Sequence, residues 1–187
     1  MHYGGFLAAL LAVGADKTSA MTNLTADSIR RLAPSTFRQL GTNVRRDLER
    51  RGCLVPQVWD RKVPHNVIQG AFTSAHASEW AVLCSVREHS QILIYQIDPA
   101  GAAQVVDSLK RSSDAAWVQS VGEGRWGYSR FIQALPRQQI RAWRVDIDRN
   151  KIPQPIDHDA IEDVFLEKAG QAFYFARGRW YRQLTTD

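Results

Sequence analysis

In the stretch SEWAVLCSV, Ser78–Val86, the residues Trp80, Val82, Cys84 and Val86 stand at alternate positions. That is the spacing at which side chains leave a β-strand on one face. A short polar break later comes QILIYQI, Gln91–Ile97, which is apolar on both faces and reads as a central strand. Together the two runs predict an antiparallel sheet. Outward from them, period-two or continuous apolar segments bounded by turn residues predict further strands near Val67–Thr73, Gln104–Leu109, Trp117–Val121, Ser129–Leu135 and Ile140–Ile147. The ending AFYFARGRWYRQL predicts two aromatic strands folded back at Arg177-Gly178.

Ahead of the sheet the period changes. Phe37, Leu40, Val44 and Leu48 follow a 3, 4, 4 spacing that forms one helical stripe, and Gly52 stands where a C-terminal cap belongs. Pro34 divides this helix from a shorter one near Ser28–Leu32. In DHDAIEDVFLEKAG, Asp159 supplies a capping oxygen, Glu162 follows three residues on and Gly170 closes the segment, which predicts a short helix. The expected fold is α+β. A helical front (25–52) packs on a β-rich body (66–187), a predominantly antiparallel sheet or open barrel of about seven to nine strands ending in a hairpin.

The chain opens MHYGGFLAALLAVGADKTSAM. Its apolar run Phe6–Ala15 is about half as long as a membrane span, and small residues follow at cleavage spacing. Residues 1–20 therefore read as a signal peptide and 21–187 as one exported α+β domain, periplasmic or secreted, with no membrane span. Export bears on Cys53 and Cys84, the only two cysteines. Metal-ligand spacing is missing around both. His76 or His89 would be the base for a nucleophilic Cys84, yet its place in an apolar strand face makes that thiol inert. In an oxidising compartment the two are expected to pair.

The net charge of +5 is unevenly spread. Residues 66–187 carry 14 basic and 14 acidic side chains, whereas residues 21–65 carry nine and four. A basic helical front suits an acidic protein or glycan partner. No aromatics interleave with its basic groups, so nucleic acid is not expected. Three further candidates stand out. Asp146, Asp148, Asn150 and Asp157 sit at calcium-loop positions, but Lys151 replaces the turn glycine and Pro153 and Pro155 stiffen the loop, so no metal is expected there. Trp143, Trp180 and Tyr181, with Arg141 and Arg179, form a candidate binding surface for sugars. Asp157, Asp159, Glu162 and Asp163 are the only dense carboxylate cluster. No nucleophile elbow, zinc-helix or phosphate-loop motif occurs, and no cofactor is expected.

Within NVIQGAFTSAHASEWAVLCSV, the residues Gly70, Phe72, Glu79, Ala81 and Val82 resemble the blade repeat of secreted FG-GAP/VCBS-type proteins. A closed propeller needs at least four such blades, so the resemblance implies blade-like hairpins in a sheet or open barrel. GCLVPQ and the ending FLEKAGQAFYFARGRWYRQL resemble small exported bacterial proteins without an assigned function. The sequence thus favours an exported, monomeric, non-enzymatic binding or interaction module. The alternative is a small periplasmic hydrolase with a carboxylate-based site. Protein recovered from its native host should begin between about residues 16 and 21 on N-terminal sequencing. An intact Met1 on folded cytoplasmic protein would overturn the export reading.

Overall fold

The computed structural model describes residues 29–146 and 152–185; the expected signal peptide lies outside them. A first pair, β1 (Arg31–Leu32) with β2 (Val55–Pro56), holds the ends of the helical front together. Sheet I follows as the antiparallel meander β3 (Val67–Gly70), β4 (Glu79–Val86), β5 (His89–Ile97) and β6 (Ala103–Ser113). A small hairpin, β7 (Val118–Ser120) with β8 (Trp126–Tyr128), leads to sheet II. Sheet II comprises β9 (Arg130–Leu135), β10 (Ala160–Phe165), β11 (Ala169–Ala176) and β12 (Arg179–Thr185), again antiparallel between sequential neighbours. Two helices accompany the sheets, α1 (Thr42–Arg50) and α2 (Arg137–Asp146).

The expected α+β architecture is corrected: the described residues are predominantly β, with their strands in four sheets, none of them closed. The helix foreseen from about residue 27 shrinks to the nine residues of α1. Pro34 opens a 3-10 turn (Pro34–Thr36), and the chain stays extended at Gly41 before it coils. Phe37 and Leu40 thus precede α1, although both remain buried. The short first helix is instead strand β1. Ile140–Ile147, expected as a strand, falls largely in α2, where the backbone N–H groups of Gln139 and Ile140 both donate to Pro136 O. The helix expected from Asp159 is strand β10. Its acids caused the error: Glu162 and Asp163 are both buried, whereas a helix reading puts charged residues in water.

Sheet I is buried on both faces. Val82, Cys84, Leu93 and Tyr95 meet Phe37, Leu40, Val44 and Leu48 on one side. On the other, Ala81, Leu83, Ile92 and Ile94 meet Ile132, Ile161 and Phe173 of sheet II. The outer face of sheet II carries Leu135, Ala160, Ala172 and Tyr174, covered by Ile140 of α2 and by Ile152 and Ile156. The two sheets are joined along β3 and β9 by Asn66, a buried residue at φ 70°. Its Nδ2 donates to Pro56 O (2.7 Å) and Arg130 O (3.3 Å), and its Oδ1 accepts from Ile132 N (2.9 Å).

Two devices fasten the front to sheet I. Gly52, at φ 68°, ends α1, and Cys53 N–H returns to Leu48 O. From that fixed point Cys53 is disulfide-bonded to Cys84 on β4, with Cα atoms 5.4 Å apart across a sequence separation of 31. Tyr95 Oη also donates to Asp47 Oδ2 at 2.8 Å. Burial alone would raise the Asp47 pKa, but hydrogen bonds from Arg51, Arg50 and Tyr95 hold it at about 2.

The connector from front to sheet is a closed loop, Val58 to His65. Gln57 Oε1 accepts from His65 N (3.0 Å), Gln57 Nε2 donates to His65 O (3.1 Å), and Val58 N–H donates to His65 Nε2 (2.9 Å). His65 must therefore be neutral at Nε2, and its burial pushes its pKa below the ordinary 6.5.

Two outcomes follow from these fastenings. Denatured, unreduced protein should show no free thiol, and Cys53→Ser with Cys84→Ser should lower unfolding stability by about 2–4 kcal/mol while keeping the fold. Unchanged stability would remove the structural role of the bond. For His65 the folded pKa is depressed, so its contribution is fully present above 6.5 and lost as the pH falls through the folded value. Thermal melts between pH 7.5 and 5 should therefore fall more steeply for the wild type than for His65→Gln, and equal slopes would refute this role.

Candidate functional site

A pocket of about 260 Å³ opens where the start of β10, the end of β11 and two loops converge. One wall is the loop after β3. Gly70 admits the Phe72 ring, since a Cβ there would lie 2.6 Å from Phe72 Cε1. Glu79, wholly buried, then caps the turn by accepting from Phe72 N (2.8 Å), Thr73 N (2.9 Å) and Thr73 Oγ1 (2.5 Å). The capped turn places Thr73 and Ser74 at the pocket edge. Four of the five residues that resemble a blade repeat belong to this turn or to the strand that anchors it.

The opposite wall is the segment from Pro153 to His158, anchored by buried Ile152 and Ile156 and by Arg141, whose Nε donates to Ile156 O at 2.7 Å. Tyr174, on the outer face of β11, rises beneath it. Its hydroxyl accepts from Asp157 N (3.1 Å) and lies 3.3 Å from both Pro155 O and Asp157 Oδ1. The His158 ring stacks on the Tyr174 ring, with centroids 4.3 Å apart and planes 18° from parallel. His158 Nδ1 meets Asp157 Oδ1 at 2.6 Å. Because a carboxylate only accepts, Nδ1 carries the proton, and in the neutral ring Nε2 is then the acceptor nitrogen. The hydrogen bond from His158 holds Asp157 below the usual carboxylate range, and burial pushes the Tyr174 phenol up. His158 is only 6% exposed, and Nε2 is a buried atom with no hydrogen-bond partner among the described residues.

The structure disperses the acidic run of the sequence. Asp157 belongs to the pocket. Asp159 accepts from Arg137 N (3.2 Å) and Ala71 N (3.5 Å). Glu162 faces outward beside Gly170 and accepts from Gln133 Nε2 at 2.6 Å. Asp163 points into the sandwich toward Arg130. The aromatic candidates also separate. Trp180 packs between the sheets, donating to Asp107 Oδ2 (2.6 Å) and meeting Phe175 edge-on at 5.3 Å. Tyr181, its neighbour in sequence, lies on the opposite face of β12 under the Arg179 guanidinium, 4.6 Å from the ring centroid. Arg141 is bound to Ile156 O, and the side chain of Trp143 lies outside the described residues.

Of the calcium positions, Asp157 is committed to His158. The Asp146 side chain, Asp148 and Asn150 lie outside the described residues. Among the described residues no group of three or more His, Cys, Asp or Glu side chains could hold a metal ion. No helix among them is long and apolar enough to cross a membrane.

Sequence reasoning overlooked His158 and Tyr174. The histidine lay inside a segment read as a helix start, and the tyrosine inside a strand read as aromatic packing. The available signal was the pair of prolines: Pro153 and Pro155 keep the residues before them, Ile152 and Gln154, out of the helical region, so the chain does not enter Asp157-His158 as a helix. Compared with known protein families, with curated proteins and with solved structures, the chain matches none.

Proposed function

We propose that the chain is an exported, disulfide-fastened binding module whose ligand is a small hydroxylated molecule, such as the end of a glycan, taken into the pocket beside His158. The observation that carries this reading is His158, a residue of the pocket lining whose Nε2 is buried without a hydrogen-bond partner among the described residues. An unpaired buried acceptor costs about 1–3 kcal/mol, and a ligand O–H donating to it recovers that loss. The surroundings suit a sugar. Asp157, with its side chain 53% exposed, offers a further acceptor, Ser74 a hydroxyl, and Gln154 and Arg177 donors, against Pro153, Pro155 and Phe175 as apolar surface. The volume falls just below the roughly 300–1,000 Å³ of drug-sized sites, which fits one ring rather than an extended chain.

Two further observations support the reading. The Cys53–Cys84 bond accords with an oxidising compartment. The carboxylates a hydrolase would need stand apart, each with a structural partner. The test is saturation-transfer NMR on the oxidised protein with a panel of neutral monosaccharides and N-acetylated sugars. At least one sugar should receive saturation, and His158→Phe, which keeps a ring to stack on Tyr174, should weaken its binding by about tenfold. No transfer to any sugar, or equal binding by the variant, would overturn the proposal.

A further inference from the structure

Away from the pocket, the closed loop from Val58 to His65 displays apolar groups that the fold has no use for. Val63 is 75% exposed and Trp59 41%, and Pro64 between Val63 and the neck is exposed as well. A flexible tail would explain such exposure, but this loop is pinned. Besides the Gln57 and His65 bonds at its neck, Arg61 N–H donates to Val58 O (3.3 Å), Trp59 N–H to Tyr128 O (2.9 Å), and Arg30 Nη2 to Arg61 O (2.8 Å). Trp59 is also seated. Its side chain lies over Gly127, where any Cβ would come within 2.5 Å of Trp59 Cγ. The fold spends a glycine on β8 to hold a half-exposed indole.

The rim of this loop is cationic. Arg30 and Lys62 are exposed, Arg61 spreads over the Phe131 ring at 3.9 Å, and Asp60 is the loop's one acid. Beyond Gly127, Trp126 adds a second indole, 45% exposed, while the exposed Arg125 guanidinium is paired with Glu123 at 3.6 Å and adds no net charge. We infer that the Val58–His65 loop is a membrane-contacting tip, which seats Trp59 and Val63 in the headgroup layer of an anionic bilayer while Arg30 and Lys62 meet lipid phosphates. Indoles favour the membrane–water interface, where an apolar ring and a polar N–H are both satisfied. Basic groups close to an anionic surface each raise affinity by about fivefold. A protein partner would need roughly 800 Å² of matched surface on this chain, more than one pinned eight-residue loop offers. This inference is independent of the pocket and extends the function from ligand capture to position on a membrane surface.

The experiment is sedimentation of the disulfide-intact protein with vesicles of phosphatidylcholine alone or mixed with phosphatidylglycerol, in about 50 mM salt. The protein should pellet with the mixed vesicles and stay in solution with the neutral ones. Val63→Asp, at an exposed position that leaves the core alone, should weaken binding by tenfold or more, and Lys62→Glu by at least fivefold. Brominated lipid should quench part of the fluorescence, and that part should vanish in Trp59→Phe. Wild type and variants are compared in the same chain, so that the apolar Phe6–Ala15 run is common to all of them. Equal binding to neutral vesicles, or undiminished binding by Val63→Asp, would overturn the inference. So would loss of binding on Arg38→Glu with Arg46→Glu alone, which would move the contact to the basic face of α1. Absence of vesicle binding with Val63-dependent self-association would make the loop a protein contact and would equally refute it.

Discussion

Arg130 is wholly buried between the two sheets, and the sandwich is organised around its charge. Its guanidinium clasps Asp163 through Nε (2.8 Å) and Nη2 (3.2 Å), so β9 and β10 of sheet II share the pair. The remaining donors cross to sheet I, where Nη1 reaches Ser90 Oγ (2.9 Å) and Ser112 Oγ (3.3 Å) and Nη2 reaches Lys110 O (3.1 Å). Lys110 adds a second cation 3.1 Å from Asp163, and the Trp117 ring lies 4.5 Å from both cationic groups. Such a cluster adds little net stability over an apolar filling, but loss of the Asp163 charge leaves Arg130 buried and unpaired, at about 3–5 kcal/mol. Its effect is on register. Side chains alternate between faces, so slipping β9 against β10 by one residue would turn Arg130 or Asp163 outward and strand the other.

The same cluster explains which parts of the chain could be read in advance. Where a strand buries apolar residues, the alternation is visible, and the runs around Trp80–Val86 and Gln91–Ile97 fall within β4 and β5. The hairpin at Arg177-Gly178 was equally legible, and both residues take the positive φ of a type I′ turn. Strand β10 was not. Ile161 and Phe165 face sheet I with Asp163 between them, and a carboxylate at a core position looks like solvent until its arginine is known. Nothing near Asp163 in sequence names that arginine, because Arg130 is 33 residues away. The helix α2 failed in the reverse direction. Its β-branched Ile140 suggested a strand, while the turn begun at Pro136 overrode that local preference.

The candidate site was legible only in fragments, and for a related reason. Asp157 was noticed as an acid, but its neighbours in space come from β11 and from the loop capped by Glu79. The cysteines fared better because compartment and strand pattern agree on one pairing. Their bond places β4 under the front on one face, while the other face of β4 supports sheet II. Sheet I therefore transmits position in both directions. The loop from Val58 to His65 is held by the front and β8, and the pocket by β10, β11 and the loop after β3, so each has a rigid base.

Buried polar atoms left without partners are rare in native structures and each calls for a cause. Three such side-chain atoms occur among the described residues: Asp114 Oδ1, Tyr128 Oη and His158 Nε2. The first two belong to the interior. Asp114 already receives Arg31 (2.8 Å) and Ser85 Oγ (2.5 Å) through its other oxygen, and burial pushes the Tyr128 phenol up with Arg130 close by. A carboxylate with one oxygen doubly bonded has met most of its demand, and Tyr128 lies beside the Arg130 charge that joins the two sheets. His158 differs on each count. Its ring is oriented from behind by Asp157 and Tyr174, no ion pair of the core depends on it, and it lines an opening to solvent. An imidazole held at one nitrogen and unpaired at the other, in the lining of a pocket, is the feature on which the proposed ligand site rests.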